Sequence, residues 1–514
     1  MEKKPLNPLL HQRVLEWIQN TPEAPAVASN DCSYTFRELG DRWGQVDAEL
    51  KGLSPQDRVG IFVDHLALAY PCYLASMGRR SCFVPLNPEF PDQRLADILK
   101  DSDPSVLVVS RGLRERLDAI LKKSLKGKLS PQIVEVSTDT PKENTPQPLE
   151  GKPDDLAYLM FTSGTTGRPK GVMVSQHNLR SFIDWASKTY DISPQDRLSQ
   201  HSRVSFDLSI FDIFAALSHG ACLYPIESKM DLAFPGNFIS KHRISICLAV
   251  PGVIGTMERA GQLENLNFSS HLRHLLVCGE ALSPSLAQAW LNHQEVPLHN
   301  LYGPTEATVA CTHQPVTQDE LKGNRASISI GVPTTDTRIV ILHPTTGEEL
   351  PTGEVGALHL AGDQLGPGYW RNPDQTKKVF IKSKNDQTII YNTGDLAIIE
   401  DDGKLYWMGR QDQQVNILGY RVELPEIEGH IARSSELDPF AIVAMGEPLS
   451  IHLVISQRDL EDDGKDQLRD LQKNLEEVLP SYMWPTSLHA LDELPRNSNG
   501  KIDRKAIVEK LSFT

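Results

Sequence analysis

The chain has 514 residues, 39% of them apolar and 23% charged, which gives room for about three structural units with buried cores and excludes extended disorder. Glycine and proline, 34 and 35 residues, stand near ordinary usage and exclude collagen-like and low-complexity classes. A net charge of −15 argues against nucleic acid or an anionic membrane as the main partner, although a few local donors still suffice to build a phosphate-binding cleft.

No run approaches the roughly 18 to 20 apolar residues of a membrane span. The N-terminal stretch MEKKPLNPLLHQRVLEWIQN lacks the continuous apolar core of a secretion signal. The seven cysteines (Cys32, Cys72, Cys82, Cys222, Cys247, Cys278 and Cys311) form no C-x-x-C pair and read as reduced thiols, so a cytoplasmic protein is expected.

In chain order, residues 57–65 (DRVGIFVDH) predict a strand. The stretch RLADILKDSDPSVLVVS predicts a helix, a turn at Asp103 and Pro104, and a buried strand over 105–110. Strands alternating with helices point to parallel sheet layers. Residues 121–153, a basic run followed by PKENTPQPLEGKP, read as a surface excursion between layers. The strand over 156–161 runs into a Thr/Gly loop, and a helix begins near Ser175. Further strands are expected over 244–250, 274–278, 338–342 and 356–360. Beyond about residue 410 the texture changes, with Leu468, Leu471, Leu475, Val478 and Leu479 at helical spacing among charged residues. A domain boundary is expected near Gln411 and Asp412.

Chemistry concentrates in LMFTSGTTGRPKG, residues 159–171. An apolar strand ends in a loop holding Thr162, Ser163, Gly164, Thr165, Thr166, Gly167 and Lys170. Glycines let backbone N–H groups approach phosphate oxygens, and hydroxyls add neutral donors. The pattern is not G-x-x-x-x-G-K-[ST], because Gly171 follows the lysine. In NLYGPTE, residues 300–306, a tight Gly-Pro turn presents Thr305 and Glu306. A carboxylate beside a phosphate loop repels ATP unless it holds Mg2+. In YNTGDL, residues 391–396, Asp395 either accepts two ribose hydroxyls or caps its own turn.

These segments occur in order with YTFREL (34–39), GRQDQQV (409–415) with GYR (419–421), and NSNGKIDRK (497–505). Over nearly its whole length the sequence resembles the adenylate-forming enzymes: acyl-CoA synthetases, firefly luciferase and the adenylation domains of nonribosomal peptide synthetases. The resemblance implies an α/β fold, a large N-terminal domain of two doubly wound layers plus a β-rich subdomain, then a small mobile α+β domain. It divides the chain into a core over 1–410, a hinge at 411–412 with Asp412 as pivot, and a mobile domain over 413–514. It places Asn300 and Tyr302 around adenine, Thr305 on phosphate, Glu306 on the metal, and Asp395 with Arg410 on the ribose. Lys501 becomes the mobile catalytic lysine between substrate carboxylate and α-phosphate, where a cation offsets the charge that develops in phosphoryl transfer. Asn416 departs from the pattern, since the family usually carries a lysine there.

The same matching sets Asp207, in SFDLS, where amino-acid-activating members carry the anion for the substrate ammonium. A lone buried Asp is costly without a cation, which gives this reading a physical reason. The remaining pocket walls would be Leu208, Phe211, Leu248, Leu276, Cys278, Leu301, Val309 and Ala310, all apolar or weakly polar. They select a small or medium aliphatic amino acid, because a strongly polar side chain would be left unpaired. The set looks like the free-standing proline-activating enzymes of pyrrole and anatoxin-type pathways. The chain stops shortly after Lys505 with no Gly-Gly-x-Ser attachment site. The acceptor thiol is therefore expected on the phosphopantetheine of a separate carrier protein. A ligase using free CoA, and a catalytically idle nucleotide-binding regulator, are the alternatives.

Overall fold

The computed structural model describes residues 8–29, 32–125, 129–164, 168–322, 325–334, 336–435, 437, 440–446, 449–462, 464–496 and 502–512. Among these residues two large sheets carry the fold. One has seven strands in the order Gly368–Tyr369, Lys170–Ser175, Leu156–Thr162, Cys82–Leu86, Arg58–Phe62, Val106–Ser110 and Gln132–Val136. Its last five strands run parallel. The second has nine strands, with a parallel centre from Leu298–Tyr302 through His274–Val277, Ile246–Ala249, Arg197–Gln200 and Cys222–Pro225 to Pro25–Val27.

Two helices, Leu66–Gly78 and Leu208–Leu217, have almost no exposed residue. A helix that is apolar all round has to be enclosed on all sides. One packed cluster joins Ile61 and Phe83 of the first sheet to Leu198 and Leu276 of the second through Leu74 and Phe214 of these helices. Tyr73 stacks on Phe83 at 4.2 Å between ring centroids. The central position of Leu208–Leu217 fixes the residue before it, Asp207, deep inside the molecule.

A five-stranded antiparallel sheet (Thr337–Leu342, Gly356–Gly362, Ile389–Ile399, Phe380–Lys382 and Leu405–Arg410) forms the β-rich subdomain, with its own core around Ile341, Leu358 and Tyr391. From Gln414 onward the chain builds a hairpin (Gln414–Ile417 with Tyr420–Glu423), the helix Leu424–Ser434 and a three-stranded sheet flanked by Lys465–Glu476 and Arg504–Ser512. Ile427, Ile431, Leu453, Leu471 and Leu475 pack into a separate core there. This is a large N-terminal domain with a smaller α+β unit after it.

Local chemistry explains the element ends. Ser175 caps Gln176–Thr189 by accepting from the Asn178 N–H. Asp103 closes Asp92–Ser102 in a left-handed conformation before Pro104. Lys465–Glu476 ends before Val478, so the expected apolar stripe continues into the following turn. Residues 121–153 are a correction to the sequence expectation. Gln132–Val136 is not an excursion but the edge strand of the seven-stranded sheet, parallel to Val106–Ser110. Only Val134 of that strand is buried, and its short β-branched run QIVEV stands between a basic stretch and a Pro-rich one that read as loop.

Three strands of the second sheet bring His274, His299 and His313 into a hydrogen-bonded row, 3.0 and 2.9 Å apart. Burial first, then the neighbouring imidazoles, push His299 down to about 3; burial and His274 push His313 to about 4. Folded-state values below the unfolded 6.5 mean that the unfolded chain binds more protons as pH falls. Stability is thus present in full above pH 6.5 and lost on acidification toward pH 4, by up to about 1.4 kcal/mol per pH unit for His299. Urea midpoints at pH 7.5, 6.0 and 5.0 check this, and a His299→Gln variant should show a shallower acid loss than the parent.

Candidate active site

A cavity of about 890 Å³ opens where the parallel strands of the nine-stranded sheet end, lined by the residues that follow them: His201, Val250, Cys278 and Gly303. Loops at the carboxyl ends of doubly wound strands are the ordinary place for a ligand crevice. The C-terminal hairpin covers the other side with Asn416, Leu418, Gly419 and Arg421.

Asp207 lines this cavity at the start of the central helix and is 5% exposed. Burial pushes its carboxyl up to about 6, partly offset by a hydrogen bond from the Thr305 hydroxyl. Leu208, Cys278, Leu301 and Val309 share the cavity wall with it. Phe211, Leu248, Leu276 and Ala310 belong to the same packed cluster but do not reach the cavity surface. Backbone strain sits here as well. Thr308 and Val309 have φ of 57° and 71°, and a β-branched residue in that region is a true outlier. Gln364 holds the segment: its side chain donates to the Ala310 carbonyl at 2.7 Å, and the Thr308 hydroxyl donates to its backbone carbonyl at 2.7 Å.

Glu306 follows Thr305 in the same short turn and is fully buried. Its carboxylate accepts from Arg421 Nη1 at 2.9 and 3.1 Å and from the Tyr369 hydroxyl at 2.6 Å, with Lys170 Nζ at 3.5 Å. Burial alone would raise this carboxyl, but the Arg421 and Lys170 charges overcome it and hold it down at about 2. Burial, then Arg421, lower Lys170 to about 8. Among the described residues no group of three or more His, Cys, Asp or Glu is placed to hold a metal ion. With both oxygens of its single carboxylate taken by protein donors, the site in this arrangement does not fit Mg2+.

In the Thr/Gly loop, the Thr162 hydroxyl is buried without a hydrogen-bond partner. Ser163 Oγ donates to the Arg421 carbonyl at 2.7 Å, and the Gly164 N–H donates to Glu426 Oε2 at 3.3 Å. Any Cβ on Gly164 would lie 2.1 Å from the Arg168 carbonyl oxygen, so the position requires glycine. Thr165, Thr166, Gly167 and Lys501 lie outside the described residues.

At the far end of the cavity, Asp395 accepts from the Tyr302 hydroxyl (2.6 Å), Trp407 Nε1 (2.9 Å) and Arg410 Nη1 (2.9 Å). Arg410 also forks onto Asp412 with two 2.7 Å bonds, which ties the expected hinge residue to this network. Asn300 is buried and donates to the Ser329 carbonyl instead of lining the cavity.

Several residues of the site carried no individual signal in the sequence. Tyr369 and Trp407 belong to no motif, and Glu280, which accepts from the Gly419 N–H at 2.7 Å, follows the expected strand 274–278 without having been singled out. Arg421 and Glu306 were each visible within a motif, but their pairing was not. Arg94 and Glu426, both buried and 2.9 Å apart, join the two domains across 332 positions of sequence, a distance no local pattern spans.

A doubly wound core with a phosphate-type loop and a buried acidic turn at its strand ends is the arrangement of a nucleotide-activating enzyme. Residues 14–370 match the model of the AMP-binding enzyme family, and the chain belongs to that family. It is 31% identical over 513 residues to the D-alanine–D-alanyl carrier protein ligase of Listeria monocytogenes, covering 96% of this chain and 98% of that one. It is also 31% identical over 511 residues to tyrocidine synthase 3 of Brevibacillus parabrevis, covering 97% of this chain but only 8% of that much longer protein. Among solved structures, the Vibrio cholerae adenylation domain AlmE in complex with glycyl-adenosine-5'-phosphate superposes with a TM-score of 0.85 at 29% identity, over 100% of this chain and 99% of the other.

Proposed function

We propose that the chain is an amino acid:carrier-protein ligase. The carboxylate of a small aliphatic amino acid attacks the α-phosphorus of ATP, the α–β bridging P–O bond breaks, and pyrophosphate leaves. The pantetheine thiolate of a separate carrier protein then attacks the acyl carbon of the aminoacyl-AMP, and AMP departs. The observation that carries this reading is Asp207, a buried carboxylate on the cavity wall beside Leu208, Cys278, Leu301 and Val309 and bonded by the Thr305 hydroxyl, where a cationic ligand would offset the cost of its burial. The kinship with carrier-protein ligases supports the acceptor.

In this reading Tyr302, Asp395 and Arg410 hold the ribose and adenine end, while Asn300 supports the strand beneath. Thr162, Ser163, Gly164, Thr165, Thr166, Gly167, Lys170 and Thr305 face the phosphates, and Lys501 enters from the mobile domain, 413–514, by rotation about Asp412. Mg2+ would accompany ATP on Glu306 in a different domain arrangement, and no step here depends on it.

For the amino acid, proline is the finer reading. Its compact ring suits the apolar wall of Leu208, Cys278, Leu301 and Val309, with Phe211, Leu248 and Leu276 packed behind it, and its cyclised side chain loses little rotamer freedom on binding. The glycyl-adenylate complex of a similar structure, with the kinship to D-alanine–D-alanyl carrier protein ligases, supports alanine as the second reading. Pyrophosphate exchange over glycine, D- and L-alanine, proline, valine, leucine and pipecolate decides. Proline or alanine should exceed leucine by about tenfold or more, since one misfitted methylene is worth about 1–3 kcal/mol. Alanine ahead of proline by tenfold would refute the proline reading and leave the ligase reading intact.

A further inference from the structure

The hairpin of the C-terminal domain and the helix Leu424–Ser434 that follows it present two charged groups, Arg421 and Glu426, at the two places where an ATP polyphosphate and its cation would be held. Arg421 fills the oxygens of Glu306 at 2.9 and 3.1 Å. Five residues further on, the Glu426 carboxylate accepts the Gly164 N–H of the Thr/Gly loop at 3.3 Å. The backbone carbonyl of Arg421 takes the Ser163 hydroxyl as well. A cation thus sits on the acidic turn and an anion on the glycine loop, in reversed ownership from what a bound cation–phosphate pair would supply. Arg94, itself buried, balances the second Glu426 oxygen.

We propose that Arg421 and Glu426 form an internal mimic of the metal–phosphate pair, so that hairpin docking and a divalent cation with its polyphosphate compete for the same groups. This rests on the reading of Glu306 and the 162–171 loop given above. Competition follows from stoichiometry of contacts. Arg421 Nη1 lies across both oxygens of the single Glu306 carboxylate, the position a small dication would take, and two cations cannot share it at that range. Release of Arg421 without a replacement cation would leave Glu306 with Lys170 as its one remaining cation and the Tyr369 hydroxyl as its hydrogen-bond donor, so an incoming metal favours undocking. Arg421 is therefore a positioning residue, and it makes domain orientation report on occupancy of the phosphate subsite. The docked hairpin is well seated: Gly419, at φ +81°, gives its N–H to Glu280, and a Cβ there would lie 2.3 Å from Val250 Cγ1.

The test uses the full chain with MnCl2 and α,β-methylene-ATP, reading Mn2+ affinity by paramagnetic resonance and hydrogen exchange of peptides covering residues 414–423. Mn2+ with the analogue should speed exchange in this hairpin about tenfold or more. Arg421→Ala should do the same without metal and should tighten Mn2+ binding about tenfold, with Arg421→Lys intermediate in case the alanine variant folds poorly. Mn2+ binding that requires Glu306, being lost in Glu306→Gln, yet is unchanged in both Arg421 variants would overturn the competition and spare the reading of the site. Mn2+ binding indifferent to Glu306→Gln would overturn that reading first, and the competition with it.

Discussion

Replacing Asp207 by asparagine should cut pyrophosphate exchange with the cognate amino acid about a hundredfold or more while making the fold more stable. The first half follows from the lost ion pair: removing one partner of a buried charge pair costs about 3–5 kcal/mol. The second half follows from the raised carboxyl. With a folded value of about 6 against an unfolded value near 3.8, the ionised Asp207 favours the unfolded chain once pH rises through that window. At pH 7.5 the asparagine variant, free of that cost, should unfold later by about 1 kcal/mol or more. The parent enzyme should also lose kcat/KM for its amino acid as pH falls below about 6, and the variant should not show that limb. Lost activity accompanied by lost stability would point to misfolding and remove Asp207 from its role.

Lys501→Ala should nearly abolish adenylate formation and leave the second half-reaction much less affected. A single positioned cation at a developing phosphoryl charge is worth about 3 kcal/mol or more, a rate factor of about a hundred or greater. The half-reactions separate the effect. Pyrophosphate exchange should collapse, while carrier loading from chemically prepared aminoacyl-AMP should persist within a few-fold. Near-normal exchange in this variant would sink the assignment of Lys501.

The parts of this molecule that were legible in its sequence are those encoded locally. The strands 57–65 and 156–161, the helix start near Ser175 and the turn at Asp103 each depend on a few neighbouring residues; the structure sets them within a residue or two, except that the first strand ends at Phe62, three residues early. The cavity wall was half legible. Leu208, Cys278, Leu301 and Val309 face the cavity, yet Phe211, Leu248, Leu276 and Ala310 stand behind it, because side-chain polarity tells core from surface but not one apolar layer from the next. The edge strand Gln132–Val136 was missed since an edge position needs no apolar alternation, only backbone pairing with Val106–Ser110. The ties between domains, Arg421 with Glu306 and Glu426 with Arg94, join positions far apart in the chain, and charge pairing over such separations leaves no periodic trace.

All seven cysteines are buried and none is in a disulfide, and one of them, Cys278, forms part of the cavity wall. Burial first, and then the Asp207 charge, push its thiol up to about 12. At neutral pH the thiol therefore stays protonated. An acyl-adenylate is a potent acylating agent, and a wall thiol beside it would ordinarily invite self-acylation. Burial, reinforced by the Asp207 charge, keeps that thiol protonated and so a poor nucleophile. The dry wall that shapes the amino-acid end of the cavity would thereby also impose chemoselectivity, reserving the activated acyl group for a sulfur that arrives from outside.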